Sequence, residues 1–224
     1  MKTDSQLQQD VIAELAWQPL MKVAEIGVTA KDGVITLTGT VDSYAKKTEA
    51  EDAAKKVAGV SVVVEQIEIK FHHSWAKKDD NEIAIEIVNA LKANWQIPKD
   101  KVKVKVENGW VTLAGEVLWN YESDAAKNAI KNPSGVTGVS NNIHFKTAIE
   151  DVVEKATIES ALLHNWFVND TDIRVDVSGH NVTLTGTVRS WHQKDEASET
   201  AWKAPGVWNV ENDIHVKHDY SMVD

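Results

Sequence analysis

Stretches in which apolar residues recur every three or four positions alternate along this chain with stretches in which they recur every second one, and the order of the two patterns repeats three times. Val11, Ile12 and Leu15, then Ile83, Ile87, Val88 and Leu91, then Ile158 and Leu162 each mark the apolar stripe of an amphipathic helix. Alternation follows in Ile26 and Val28, in Val102, Val104 and Val106, and in Ile173, Val175 and Val177, running into Asp32-Gly33, Asn108-Gly109 or Gly179-His180. Such dipeptides between alternating runs predict a β-hairpin. The returning strand carries Ile35 and Leu37, Val111 and Leu113, or Val182 and Leu184, and ends at Val41, Val117 or Val188. An alanine-rich helix comes next, with Ala50, Ala53 and Ala54, with Ala126, Ala129 and Ile130, or with Ala197 and Ala201. A Gly-Val pair is expected to stop that helix just past its last turn, and a last strand carries Ile67, Ile143 or Ile214.

The marks keep a common register. Counted from Gly39, Gly115 and Gly186, the pairs beginning at Gly59, Gly135 and Gly206 follow twenty residues later, and Leu15, Leu91 and Leu162 precede by twenty-four. Several position types held at fixed offsets in three copies identify a tandem repeat. With no GxGxxG or GxxxxGK[ST] present, the recurring glycines read as backbone devices, a bulge or sharp bend where strand meets helix.

The expected class is therefore α+β: three tandem αββαβ two-layer modules, each a three-stranded mixed sheet with two helices packed on one face and the other face open. The expected limits are 1–71, 80–147 and 151–218, with linkers at 72–79 and 148–150 and a tail at 219–224.

The sequences ITLTGTV, VTLAGEV and VTLTGTV, followed by GVSVVVEQI, GVTGVSNNI and GVWNVENDI, make each unit resemble the BON domain. The first copy departs from the pattern with Glu65-Gln66 where the others carry Asn141-Asn142 and Asn212-Asp213, which reads as a changed turn or strand entry. The resemblance implies bacterial origin, association with osmotic or envelope stress, contact with phospholipid surfaces and, in some members, chaperone-like binding of unfolded clients.

Composition narrows the function classes. A formal charge of −10 argues against nucleic-acid binding, which is driven by phosphate neutralisation. No cysteine is present, excluding disulfides and thiolate chemistry. The first thirty residues show no signal peptide and no run is long enough to span a bilayer, so the expected location is cytoplasmic, or peripheral to a membrane. The repeated positions are apolar or glycine and hold no catalytic constellation. No enzyme activity, cofactor or metal is expected; His72-His73 lack a metal-ligand spacing, and His144 and His215 fall on the open sheet face.

Two features remain for recognition. Charge is uneven: residues 1–71 hold 8 basic and 11 acidic side chains, 79–147 hold 8 and 9, and 151–224 hold 6 and 13. In the near-neutral middle copy Lys101, Lys103 and Lys105 alternate with valines and Lys99 extends the row, either solvating the open face or forming a strip for anionic head groups. Nine tryptophans are the other feature. Trp95 and Trp166 read as caps on helix ends, whereas Trp119, Trp191 and Trp208 stand near element ends where an indole suits a membrane interface or an apolar client. The expectation is a stress-associated binding protein touching anionic phospholipid through linked modules, with a holdase or assembly scaffold for apolar protein segments as the alternative and a homo-oligomer left open.

Overall fold

The computed structural model describes residues 2–19, 25–71, 78–145, 153–165, 168 and 172–217. The first module comprises α1 (Asp4–Trp17), β1 (Ile26–Lys31), β2 (Val34–Val41), α2 (Tyr44–Lys56) and β3 (Val62–Ile69). The second comprises α3 (Asp80–Ala93), β4 (Val102–Glu107), β5 (Trp110–Val117), α4 (Asn120–Ala129) and β6 (Gly138–Phe145). The third comprises α5 (Lys155–His164), β7 (Asp172–Ser178), β8 (Asn181–Val188), α6 (Trp191–Trp202) and β9 (Asn209–Val216). The αββαβ order is met in all three.

Helix starts are set locally. Thr3 and Gln6 form a capping box on α1, with Gln6 N donating to Thr3 Oγ1 at 3.2 Å and Thr3 N to Gln6 Oε1 at 2.9 Å; Asp79 and Glu82 do the same on α3. Each sheet has its hairpin-return strand in the centre, in the orders β1-β2-β3, β4-β5-β6 and β7-β8-β9. The hairpins pair antiparallel, and β6 and β9 run parallel to β5 and β8, as a crossover through one helix requires.

Alternation then sorts side chains into a core face and an open face. In the second module Ile83, Ile87 and Leu91 of α3, Val111, Leu113 and Val117 of β5, Ala126 of α4 and Ile143 of β6 form one buried cluster. Ile158, Leu162, Val182, Leu184, Val188, Ala197, Ala201 and Ile214 form its counterpart in the third module. Leu113 and Leu184, both fully buried, hold the same place in these two cores. Small alanines on the second helix let its backbone lie close to the sheet.

The marker glycines prove to be close-approach sites. Gly39, Gly115 and Gly186 have φ of 130°, 146° and 129°, yet they stay in the ladder opposite Ile26, Val102 and Ile173, so no bulge forms there. A Cβ on them would overlap the carbonyl oxygens of Glu25, Lys101 and Asp172, which pins the start of the first strand over the glycine. The second set, Gly59, Gly135 and Gly206, lies several residues beyond the helix ends at Lys56, Ala129 and Trp202, not directly after the last turn. Those glycines instead swing the chain back so that Ser61, Thr137 and Trp208 donate backbone N–H groups to the hairpin carbonyls of Gly33, Gly109 and His180 at 2.8, 2.9 and 3.0 Å.

The N-x-I sequence of the last strand also has a specific task. Asn141 and Asn212 accept from the amides of Ile143 and Ile214 while their Nδ2 atoms donate to Ser123 Oγ and Lys194 O. Glu65 accepts from Ile67 N at 2.8 Å in the first module, so the departing residue keeps the first half of that task and β3 is complete.

Candidate interaction surface

The open faces of the three sheets share one frame and differ in what they present. In the second module Lys103 and Lys105 stand on β4 and Lys101 immediately before it, all exposed, on the face opposite Val102, Val104 and Val106, which are packed against the core. Lys99 is exposed but belongs to the turn that precedes the strand, where Asp100 has φ 60°, so it does not continue the strand row. Lys105 pairs with Glu107 at 2.8 Å in an exposed contact that holds little energy.

Beside this row lies Trp110, at the start of β5 and directly across from Glu107. Gly138 sits under its ring, since a Cβ there would overlap the indole, and Trp110 Nε1 donates to Ser140 Oγ at 3.0 Å. The indole is thus laid flat on the open face with half its surface (50%) exposed. Sequence reasoning missed Trp110; the signal was Gly138, its register partner on the neighbouring strand β6, in a position held by Val62 and Asn209 in the other modules. Trp95, read from sequence as a helix cap, is instead 89% exposed in the segment leading toward Lys99, and Trp17 is 81% exposed at the end of α1. A capping indole would have buried itself against the last turn, and Trp95 does not.

The other open faces contrast with this one. The third carries Asp172, Arg174 and Asp176 on β7 and Glu211, Asp213 and His215 on β9, flanking Thr183, Thr185 and Thr187 on β8. His144 and His215 are exposed on their open faces, as the alternation predicts. The first face is near neutral, with threonines on β2 and the exposed Val62 and Val64 on β3.

Trp119 and Trp191 are not equivalent. Trp119 is the N-cap of α4 and offers no acceptor, so the buried Glu122 accepts from Leu118 N at 2.8 Å and Trp119 N at 3.0 Å instead. Trp191 is the first residue of α6, one step past the N-cap Ser190, whose Oγ accepts from Gln193 N. Its Nε1 donates to Ser61 O of the first module, Lys194 Nζ lies 5.3 Å from its ring, and Gly59 N donates to Arg189 O at 3.1 Å. Trp191 is therefore a joint between the first and third modules. Trp208 stacks on His180 at 3.4 Å between ring centroids, while His180 Nδ1 meets Gly206 O at 2.8 Å, so this indole is half-buried inside its own module.

Beside the joint, burial pushes the Asp195 carboxyl above its ordinary value although the Lys55 charge opposes the change. Burial acts to lower Lys55, but a hydrogen bond with Glu51 and the charges of Glu51, Asp195 and Asp52 outweigh it and raise its pKa. Among the described residues no group of three His, Asp or Glu side chains is placed to hold a metal ion. His72-His73 and Trp166 lie outside the described residues. No helix of the described chain is long and apolar enough to cross a membrane.

One further recurrent device was not anticipated. Asp80, in the first turn of α3, accepts from the backbone N–H groups of Asn108 and Gly109 at 2.8 and 2.9 Å, and Asp4 of α1 accepts from Asp32 N at 3.0 Å. A carboxylate at the helix start thus clamps the hairpin turn.

Comparison with known proteins places these features in a family. The profile of the BON domain matches residues 3–70, 79–147 and 150–218. The chain is 31% identical over 147 residues to osmotically-inducible protein Y of Escherichia coli (strain K12), covering 62% of this chain and 73% of that protein. It is 29% identical over 140 residues to a 21 kDa hemolysin of Actinobacillus pleuropneumoniae, covering 59% and 71%. Among solved structures, one of CdsD, a structural protein of the type III secretion system of Chlamydia trachomatis, aligns over 93% of this chain and 91% of that one with 14% identity and a TM-score of 0.27, a value that carries no argument.

Proposed function

We propose that this chain, which belongs to the BON domain family, is a non-enzymatic stress-associated binding protein that makes peripheral contact with anionic phospholipid surfaces through linked modules. The proposed module limits are 1–71, 80–147 and 151–218. One observation carries the reading: Lys101, Lys103 and Lys105 share an open sheet face with the half-exposed Trp110. Ammonium groups on flexible arms suit phosphate head groups, each adding about 1 kcal/mol near a charged bilayer, and an indole suits the zone between head groups and acyl chains. Lys99 and Trp95 in the preceding segment extend that chemistry, while Trp119, Trp191 and Trp208 contribute less because each is half-buried. Linked modules raise avidity without a strong single site. The names of the two relatives, one osmotically inducible and one a hemolysin, support a stress-related role at a membrane. Contact at a surface needs no spanning segment and fits a cytoplasmic protein peripheral to the membrane.

Co-sedimentation with anionic and neutral vesicles tests the reading. Binding to anionic vesicles at low salt that fades with added salt is expected. Equal binding to neutral vesicles, or none to either by a folded protein, overturns it.

A second reading, a holdase or assembly scaffold for apolar segments of partner proteins, is favoured by the exposed Val62 and Val64 on the neutral first face. Suppression of aggregation of a heat-stressed client would support it, and no effect at several-fold excess would remove it.

A further inference from the structure

The second and third modules present opposite charge from one frame. Positions occupied by Lys101, Lys103 and Lys105 in the second correspond to Asp172, Arg174 and Asp176 in the third, and those of Ser140 and Asn142 correspond to Glu211 and Asp213. All of these charged side chains are exposed. In the third module the carboxylates stand on both edges of the face, Asp172 and Asp176 on β7 with Arg174 between them and Glu211 and Asp213 on β9, separated by the threonine row of β8, so four carboxylates outweigh one guanidinium. Two inter-strand spacings put those edges about 10 Å apart, and the short threonine side chains leave a shallow trough between them. In the second module Glu107 and Glu116 stand at the two ends of the face, so its positive charge is concentrated in one row along β4.

We propose that the lysine row of the second module docks in the acidic trough on the third module of a second copy of this chain. Successive lysines on one strand face are about 7 Å apart, the repeat of Glu211 and Asp213 on β9, and Lys101 and Lys105 are about 14 Å apart, the separation of Asp172 and Asp176 on either side of Arg174 on β7, so more than one ammonium group can lie against carboxylates at once. Charge complementarity of this kind sets partner choice and orientation more than raw strength, so the association is weak, reversible and steeply salt-dependent. The same lysines on the edge strand β4 repel their own kind, which disfavours the alternative of pairing two second modules edge to edge. The neutral first face takes no part. Docking between unlike surfaces closes only if two copies engage reciprocally and otherwise continues head to tail.

This docking does not depend on the lipid reading, although both use the same lysines. The test is sedimentation velocity of the full chain over a range of concentrations. Concentration-dependent growth in mass is expected at about 20 mM salt, with at least ~10-fold weaker association at about 500 mM. The variant K101E/K103E/K105E and the variant D172K/D176K/E211K/D213K are each expected to remain monomeric, and mixing the two is expected to restore association, because each retains the face the other has lost. Only the lysine variant should also lose anionic vesicles, which separates the failure of one reading from that of the other. Far-UV circular dichroism and thermal unfolding check that both are folded; if either is not, the neutral versions K101Q/K103Q/K105Q and D172N/D176N/E211Q/D213N should each associate at least ~10-fold more weakly than the parent chain. A parent chain that stays monomeric at every concentration and salt overturns the proposal, as does a mixture of folded charge-reversed variants that fails to associate.

Discussion

The second and third modules are built on the same register, with Leu113 and Leu184 fully buried at equivalent places and Gly115 and Gly186 both left-handed, yet their open sheet faces carry opposite charge. The inward half of the pattern is constrained by packing, which tolerates little change in volume or backbone conformation. The outward half is constrained only by solubility and by what it touches. Function in a repeat of this kind is therefore to be sought in the positions where the modules disagree.

The largest effects should be the ones the two modules share. Gly115→Val and Gly186→Val each place a β-branched residue at strongly positive φ and drive a Cβ into the carbonyl of Lys101 or Asp172. Each should cost about 4 kcal/mol in urea unfolding, from backbone strain plus overpacking. A valine tolerated at one site but not the other would break the equivalence of the modules. Next in size is an effect that only one module should show. K101Q/K103Q/K105Q should weaken binding to anionic vesicles about 100-fold, from three contributions of about 1 kcal/mol, with folding stability within ~0.5 kcal/mol of the parent. D172N/D176N in the third module should leave vesicle binding unreduced, and a matching loss there would show that the lysine row is not the contact.

A smaller effect separates the two helix starts. Trp191→Phe removes the donor to Ser61 O and should destabilise the joint of the first and third modules by about 1–2 kcal/mol in a thermal melt. Trp119→Phe should change stability by less than ~0.5 kcal/mol, since Glu122 and not the indole satisfies that helix start. The smallest lies at the exit of β2, where the hydrogen bond from Lys46 holds the Asp42 carboxyl below its ordinary 3.8, against a desolvation that works the other way. A carboxyl lowered on folding stabilises the fold above its unfolded value and loses that contribution as pH falls through the folded one. Lys46→Met should therefore cost no more than ~0.5 kcal/mol at neutral pH, because the pair is partly exposed, and nothing near pH 2. An equal cost at both pH values would show that packing, not charge, is involved.

Much of the fold and less of the surface was legible in the chain itself. Periodicities of 3.6 and 2 report which side of an element is apolar, and that sufficed for the αββαβ order, the hairpins, the core residues and the placing of Lys101, Lys103 and Lys105 opposite the valines. Chain neighbourhood misled where the partner was distant. Trp119 and Trp191 look alike beside their strands, but one residue of offset makes one a cap position and sends the other to Ser61, 130 residues away. Trp110 was overlooked because the room for its indole to lie on the sheet is made by Gly138 of the neighbouring strand, and the clamp of Asp80 on Asn108 and Gly109 joins groups almost thirty residues apart.

By itself, then, the sequence determined three modules of one kind, their buried faces and the need for glycine at the marked positions, because these follow from local periodicity and steric limits within a few residues. Only the tertiary structure decided what each glycine accommodates, which tryptophans are spent inside the protein and which remain outside, and that the third module is joined to the first through Trp191. Those outcomes rest on contacts between segments far apart in the chain, whose geometry is set when the helices and sheets pack.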